Sequence, residues 1–271
     1  MRRKLAIIMG SGATLCFVLT PFLWMFVVSL STDPRALFAE ELNLTLTNYR
    51  EVLSSRSLHF GSYCLNSIGI SLGASVIVTV VASLAGYAVS RFSFPGRISL
   101  PLIILALSMF PQICIVGYLY QIFSTAGLIN TWIALILPYC AMTIPLSLWI
   151  NMSYFAQIPR DLDKAGLIDG AGRLAVFVHI ILPLALPGIF SSFLLVFITC
   201  FNEFLFALML TIDYHAQTIP VGLASFEGLH GEVPWGNLMA ASTMAALPLV
   251  VLALVFQRYI INGLTAGALK G

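Results

Sequence analysis

Charge is what this sequence has least of. Only 9% of its 271 residues are Asp, Glu, Lys or Arg, against 59% hydrophobic residues and a mean hydropathy of +0.98. That balance excludes an ordinary water-soluble domain. Lysine is scarcest: Lys4, Lys164 and Lys270 are the full set, and none follows a glycine. A Walker A loop needs a Gly-Lys pair to cradle phosphates, so the chain has no such means of holding ATP. The net charge of +2 and the lack of a basic tract give nucleic acid no footing. There is no H-E-x-x-H motif, and the five cysteines (Cys16, Cys64, Cys114, Cys140 and Cys200) form no C-x-x-C pair. A zinc site or disulfide framework is therefore not expected. The cysteines read as small buried apolar residues.

What the chain does have is long apolar runs. A membrane span needs about 20 mostly apolar residues. Six runs qualify: residues 5–30, 63–90, 98–120, 131–151, 184–212 and 238–259. The expectation is an all-α membrane protein, one domain over residues 1–271, with lipid around it. The first run follows Arg2-Arg3-Lys4 and is longer than the apolar core of a signal peptide, about 7–15 residues, so it is read as a retained helix. Pro101 and Pro111 interrupt the third run, and Pro138 and Pro145 the fourth. Proline removes an amide donor and bends a helix, and packed neighbours can satisfy the freed carbonyls.

Orientation follows from the basic residues. With the N-terminus inside, Arg2, Arg3, Lys4, Arg91, Arg97, Arg160, Lys164, Arg173, Arg258 and Lys270 are cytoplasmic, and only Arg35, Arg50 and Arg56 lie outside. Both termini are thus expected in the cytoplasm, with long external loops at 31–62 and 213–237 and a cytoplasmic tail at 260–271.

The segment 158–187, IPRDLDKAGLIDGAGRLAVFVHIILPLALP, is charged and glycine-bearing between two apolar runs. Pro159 suits a first helical turn, and Asp161 and Asp163 suit its positive end. Ala165 and Gly166 are small, which would let another protein approach the backbone. Asp169-Gly170 is a stop and turn signal, since glycine accepts left-handed dihedrals. A second short helix is expected over 171–182, ending at Pro183 and Pro187. The predicted shape is helix, turn, helix.

This loop resembles the cytoplasmic EAA loop of ATP-binding-cassette (ABC) importer permeases. Ile158, Pro159, Leu162, Ala165, Asp169, Gly170, Ala171, Leu182 and Pro183 match its pattern, whereas Lys164 stands where glutamate is usual and Gly166 where a second alanine is usual. The charge at Lys164 is reversed, so a glutamate ion pair with the ATPase does not carry over. Further matches point to the carbohydrate-type subfamily: Phe201-Asn202-Glu203-Phe204, Asn48-Tyr49, Asn66-Ser67, residues 88–95, Met109-Phe110-Pro111, Gln257-Arg258-Tyr259 and the tail 263–271. Nearly the whole chain is covered. The resemblance is to the smaller permease of maltose- or trehalose-like systems.

The resemblance implies the type I ABC importer permease fold, with six transmembrane helices in the bacterial cytoplasmic membrane. It implies a transport subunit that is not itself an enzyme and holds no cofactor. ATP and Mg would be bound by two partner ATPase subunits or domains. A second homologous permease would complete a heterodimer, and an extracytoplasmic binding protein or lipoprotein would deliver a sugar, meeting the loop at 213–237. Coupling to the ATPases would fall to Asp163, Lys164, Ala165, Gly166, Asp169, Gly170, Ala171 and Pro183, with tail contacts at Gly267 and Lys270.

Glu203 is the one ionisable residue deep inside an apolar run. A charge there costs about 2.5–3.5 kcal/mol on insertion scales, so it should face the interior or a wet path beside Asn202. Two readings stand: Asn202 and Glu203 line or gate the translocation path, or Glu203 makes a structural hydrogen bond. A rival class, an intramembrane serine protease, is raised by Gly69-Ile70-Ser71-Leu72-Gly73, which matches the G-x-S-x-G nucleophile elbow. The same residues read as GxxxG helix packing, and an elbow needs a strand-to-helix turn where a helix is expected. The other rival, a self-sufficient secondary transporter, would often show inverted halves, and none is found.

Overall fold

In the computed structural model the described residues, 2–31, 44–55, 58–226 and 233–268, are helical almost throughout. The helices are α1 (Arg2–Ser29), α2 (Thr47–Ser54), α3 (Phe60–Arg91), α4 (Ser99–Ser108), α5 (Gln112–Thr125), α6 (Trp132–Gln157), α7 (Asp161–Ile168), α8 (Arg173–Val176), α9 (Leu182–Phe201), α10 (Leu205–Leu210), α11 (Ile219–Ala224) and α12 (Trp235–Ala268). A π-turn, Phe177–Ile181, joins α8 to α9. Among the described residues five helices are long and apolar enough to cross a membrane. The number rises to 6 if α4 and α5, bent by 87° at their break, count as one span.

The chain divides into two compact units, residues 1–62 with 221–248 and residues 63–220 with 249–271. In the first, α2 lies within the stretch expected to be a long outer loop. Buried Asn48 donates to the carbonyls of Ser29 (2.9 Å) and Ser31 (2.8 Å), and the hydroxyls of Tyr49 and Ser29 share a 2.6 Å bond. Gly236 allows this contact, because a Cβ there would come within 2.6 Å of the Asn48 amide.

The second unit is built on α3, α6 and α9. A Cβ on Gly69 would lie 2.5 Å from the Trp132 ring, and one on Gly73 would lie 3.3 Å from Ile136. The Gly69–Gly73 pair is therefore a close-packing face against α6. Ser71 sits buried in the middle of α3 and its carbonyl accepts from Ser75, with no strand-to-helix turn near it. Across α6 and α9 the hydroxyls of Ser147 and Ser192 bond at 2.7 Å, and Gly188 lies directly beneath the Tyr154 ring. At one end of the unit Asn66 donates to the carbonyls of Tyr214 and Gln217 and accepts from the Trp132 indole, while Ser67 accepts from the Ile219 amide.

Several boundaries differ from the sequence reading. The third run breaks at Met109–Pro111, where Pro111 caps α5, while Pro101 sits harmlessly in the first turn of α4. Pro138 and Pro145 lie inside an unbroken α6. The helix expected to end at Pro183 and Pro187 instead continues to Phe201. The π-turn ahead of Pro183 already departs from α-type bonding where the ring removes a donor. The fifth run stops short of Ile212, breaking at Asn202–Phe204 before α10. The last helix runs past Tyr259 to Ala268, so Gly267 lies in its final turn. Lys270 and parts of both expected outer loops lie outside the described residues. Cys140 and Cys200 are buried as expected, but Cys16 and Cys114 are exposed.

Candidate functional site

The loop between α6 and α9 is a helix, a turn and a helix. Asp161 and Asp163 occupy the first turn of α7, where the helix end is positive. At its other end the Ala171 amide donates to the Gly166 carbonyl (3.0 Å) and the Gly170 amide to Leu167 (3.2 Å). This is the Schellman closure, and it needs a left-handed residue, which Gly170 supplies with φ of +85°. The turn read from Asp169-Gly170 is therefore where the sequence placed it.

The loop is tied to the end of α3 by polar contacts. The Arg91 Nε lies 3.3 Å from an Asp163 carboxylate oxygen, with both side chains largely buried. The Tyr87 hydroxyl donates to the other oxygen (3.0 Å), and Arg91 also donates to the Ile158 carbonyl (2.9 Å). Arg160 donates to the Ser90 carbonyl at 3.1 Å. Below these bonds Tyr87, Phe155 and Phe177 pack with Val176, Ile181 and part of Ala171. Arg173 stacks over Phe92, 5.0 Å from its ring centre. A cavity of about 260 Å³ opens among Tyr87, Arg91, Arg160, Asp163 and Arg173.

Three of the expected coupling residues face their own chain. Asp163 is held by Arg91 and Tyr87. Gly166 is buried, because a Cβ there would meet Ile180 at 2.8 Å and Val176 at 2.9 Å, so its smallness serves internal packing. Ala171 joins the aromatic cluster. Lys164, Ala165, Asp169, Gly170 and Pro183 are exposed, and Lys164 pairs with Asp161 at 2.9 Å. Two residues the sequence reading missed stand beside them: Ile168, 84% exposed, and Leu167, 45% exposed. Their signal was an apolar pair on a charged segment.

Asn202 and Glu203 are adjacent in sequence but part company in space. Asn202 is exposed and donates to the Ile198 carbonyl of its own helix (2.8 Å). Glu203 is buried, and its carboxylate accepts from the amides of Phe206 (2.8 Å) and Ala207 (3.2 Å). It caps α10 and meets donors that would otherwise have no partner. The two do not form the pair the sequence suggested. At the same end as Asn66, the Asn130 side chain accepts from the amides of Ile212 and Asp213 and donates to the Asp213 carboxylate at 2.8 Å. That donor, with His215 adding to it, holds the Asp213 pKa down at about 2.

Long apolar helices able to cross a membrane, with a charged elbow clamped to the end of α3, are the architecture of a membrane-embedded protein. Residues 78–265 match the family described as binding-protein-dependent transport system inner membrane component, and the chain belongs to that family. It is 52% identical to the trehalose/maltose transport system permease protein MalG of Thermococcus litoralis, over 99% of this chain and 98% of that protein. It is 40% identical to the trehalose transport system permease protein SugB of Mycobacterium tuberculosis, over 94% and 93% of the two chains. In fold it matches a chain of a bacterial ABC transporter involved in the import of the acidic polysaccharide alginate, with a TM-score of 0.77, 18% identity, and coverage of 95% and 96%. The chain is the inner-membrane permease component of an ABC importer.

Proposed function

We propose that this permease forms half of a translocation path for a trehalose- or maltose-like sugar, and that α7 and its Gly170 elbow receive force from a separate ATPase subunit that binds ATP and Mg. The observation that carries the coupling reading is the exposed face of α7. Lys164, Ala165, Ile168 and Asp169 are open on it, while Asp163 and Gly166 fasten its back to α3 and the π-turn. A short helix rigidly held from behind, with an apolar side chain and charges open in front, transmits displacement into the spans rather than absorbing it. The substrate class rests on the relatives, two of which carry trehalose in their names. A second permease completes the path, a binding protein delivers sugar to the end bearing the Asp213 loop, and the end of α12 with the tail beyond it, Gly267 and Lys270, touches the ATPases. Both termini lie in the cytoplasm. Asn202 lines the path, and Glu203 fixes the break beside it.

The experiment is transport of trehalose and maltose by the assembled complex in proteoliposomes, with ATP inside. Uptake that requires the binding protein and ATP is expected. Uptake by this chain alone would reject the reading. Near-normal transport by an assembled Asn202→Leu variant would remove Asn202 from the path.

A further inference from the structure

The turn between α3 and α4 carries a feature that coupling does not use. Arg97 and Arg160 both donate to one acceptor, the Ser90 carbonyl, at 3.4 and 3.1 Å. Two guanidinium groups thus converge on a single oxygen. Arg91 stands beside them, but it is engaged by Asp163 and the Ile158 carbonyl. A recess of about 310 Å³ opens next to the three arginines, and among the described residues no carboxylate lines it. Its other wall is apolar: Ile98 is 78% exposed, Leu102 51% and Trp149 46%. Ile98 is also the N-cap of α4 and makes no side-chain capping bond, so the positive end of that helix borders the same recess.

We propose that this recess binds the phosphate headgroup of an anionic membrane lipid, with the acyl chains lying against Ile98, Leu102 and Trp149. Like charges brought this close repel, and an anion bridging Arg97 and Arg160 removes that repulsion. Each guanidinium keeps donors free beyond its bond to Ser90, and a phosphodiester presents two oxygens that suit such forks. Basic pockets between spans at a membrane surface favour anionic headgroups for this reason. The apolar wall selects a lipid over a free anion, because dissolved phosphate gains nothing from Leu102 or Trp149. The recess does not overlap the exposed face of α7 and stands independently of the substrate assigned above.

The test is native mass spectrometry of the full chain in a non-ionic detergent, titrated with phosphatidylglycerol, phosphatidylcholine or inorganic phosphate. One phosphatidylglycerol is expected to be retained in preference to phosphatidylcholine. Arg97→Gln and Arg160→Gln should each weaken retention about fivefold, and together by about 25-fold. Arg97→Lys with Arg160→Lys should keep most of it, and Arg50→Gln on α2 should change nothing. Circular dichroism of each variant separates lost binding from lost fold. Equal retention of the two lipids, or unchanged retention in a folded double glutamine variant, overturns the proposal. So does displacement of the lipid by equimolar inorganic phosphate. A transporter assembled with its partner subunits that holds no lipid would assign the recess to protein contact and overturn it as well.

Discussion

Gly166 shows how a single missing methyl can set a mechanical joint. Its Cα faces the side chains of Ile180 and Val176 so closely that any Cβ must displace one of them. Gly166→Val should therefore destabilise the chain by about 1–3 kcal/mol through overpacking. Ala165→Val, one position along and exposed, should leave thermal unfolding unchanged. A melting curve of the two variants decides between internal packing and an external docking role for Gly166. Glu203 is read the same way, atom by atom. Its two carboxylate oxygens hold the Phe206 and Ala207 amides, so Glu203→Leu should lose about 1–2 kcal/mol as a cap does. Glu203→Gln, which keeps one acceptor, should lose less. Asp213 gives the pH-dependent case. Its folded pKa is depressed to about 2, so its stabilisation is complete above the unfolded carboxylate value of about 3.9 and is lost as pH falls through about 2. Amide protection over 212–215 should fall across that window in the native chain and show no such step in Asp213→Asn.

At the level of elements, the joint between α3 and α7 is the contact most exposed to test. Removing one partner of a buried ion pair leaves the other unpaired, at a cost on the order of 3 kcal/mol. Asp163→Asn should raise hydrogen exchange over 161–168 and loosen α7 from α3. The double variant Arg91→Met, Asp163→Leu should recover part of the loss, because no uncompensated charge remains. This joint was not legible in the sequence. Tyr87 and Asp163 stand 76 residues apart, and no local pattern announces that they touch. The elbow itself was legible, because its signals are local: two aspartates favour the helix start and Gly170 closes it, although Pro159, read as part of the first turn, precedes the N-cap Arg160. The same contrast explains Glu203. As a charge in an apolar run it was an evident anomaly, but whether the run broke there depended on backbone amides that sequence does not display. The continuity of α9 past Pro183 was missed because helix-breaking residues were read singly, without the π-turn that precedes them.

For the whole molecule, the family assignment and the exposed face of α7 together predict where the partner ATPase takes hold. Ile168 is the most exposed apolar side chain of that helix, at 84%, and Ile168→Asp should weaken ATPase association by about tenfold, the loss of a typical anchoring residue. Lys164→Glu, which reverses the charge to that of the EAA pattern, should reduce substrate-stimulated ATP hydrolysis without changing the melting temperature of the isolated chain. An unchanged hydrolysis rate would show that Lys164 meets no charge on the partner. The apolar runs made the bundle readable from sequence as a set of spans, but not the corner between α4 and α5. That corner, at 87°, has a mechanical result. A rod with a right angle in it carries no thrust from tip to tip. Thrust delivered at the proposed elbow would therefore pass along the unbroken shafts of α3 and α6, while the far limb of the cornered pair follows α10, against which it packs.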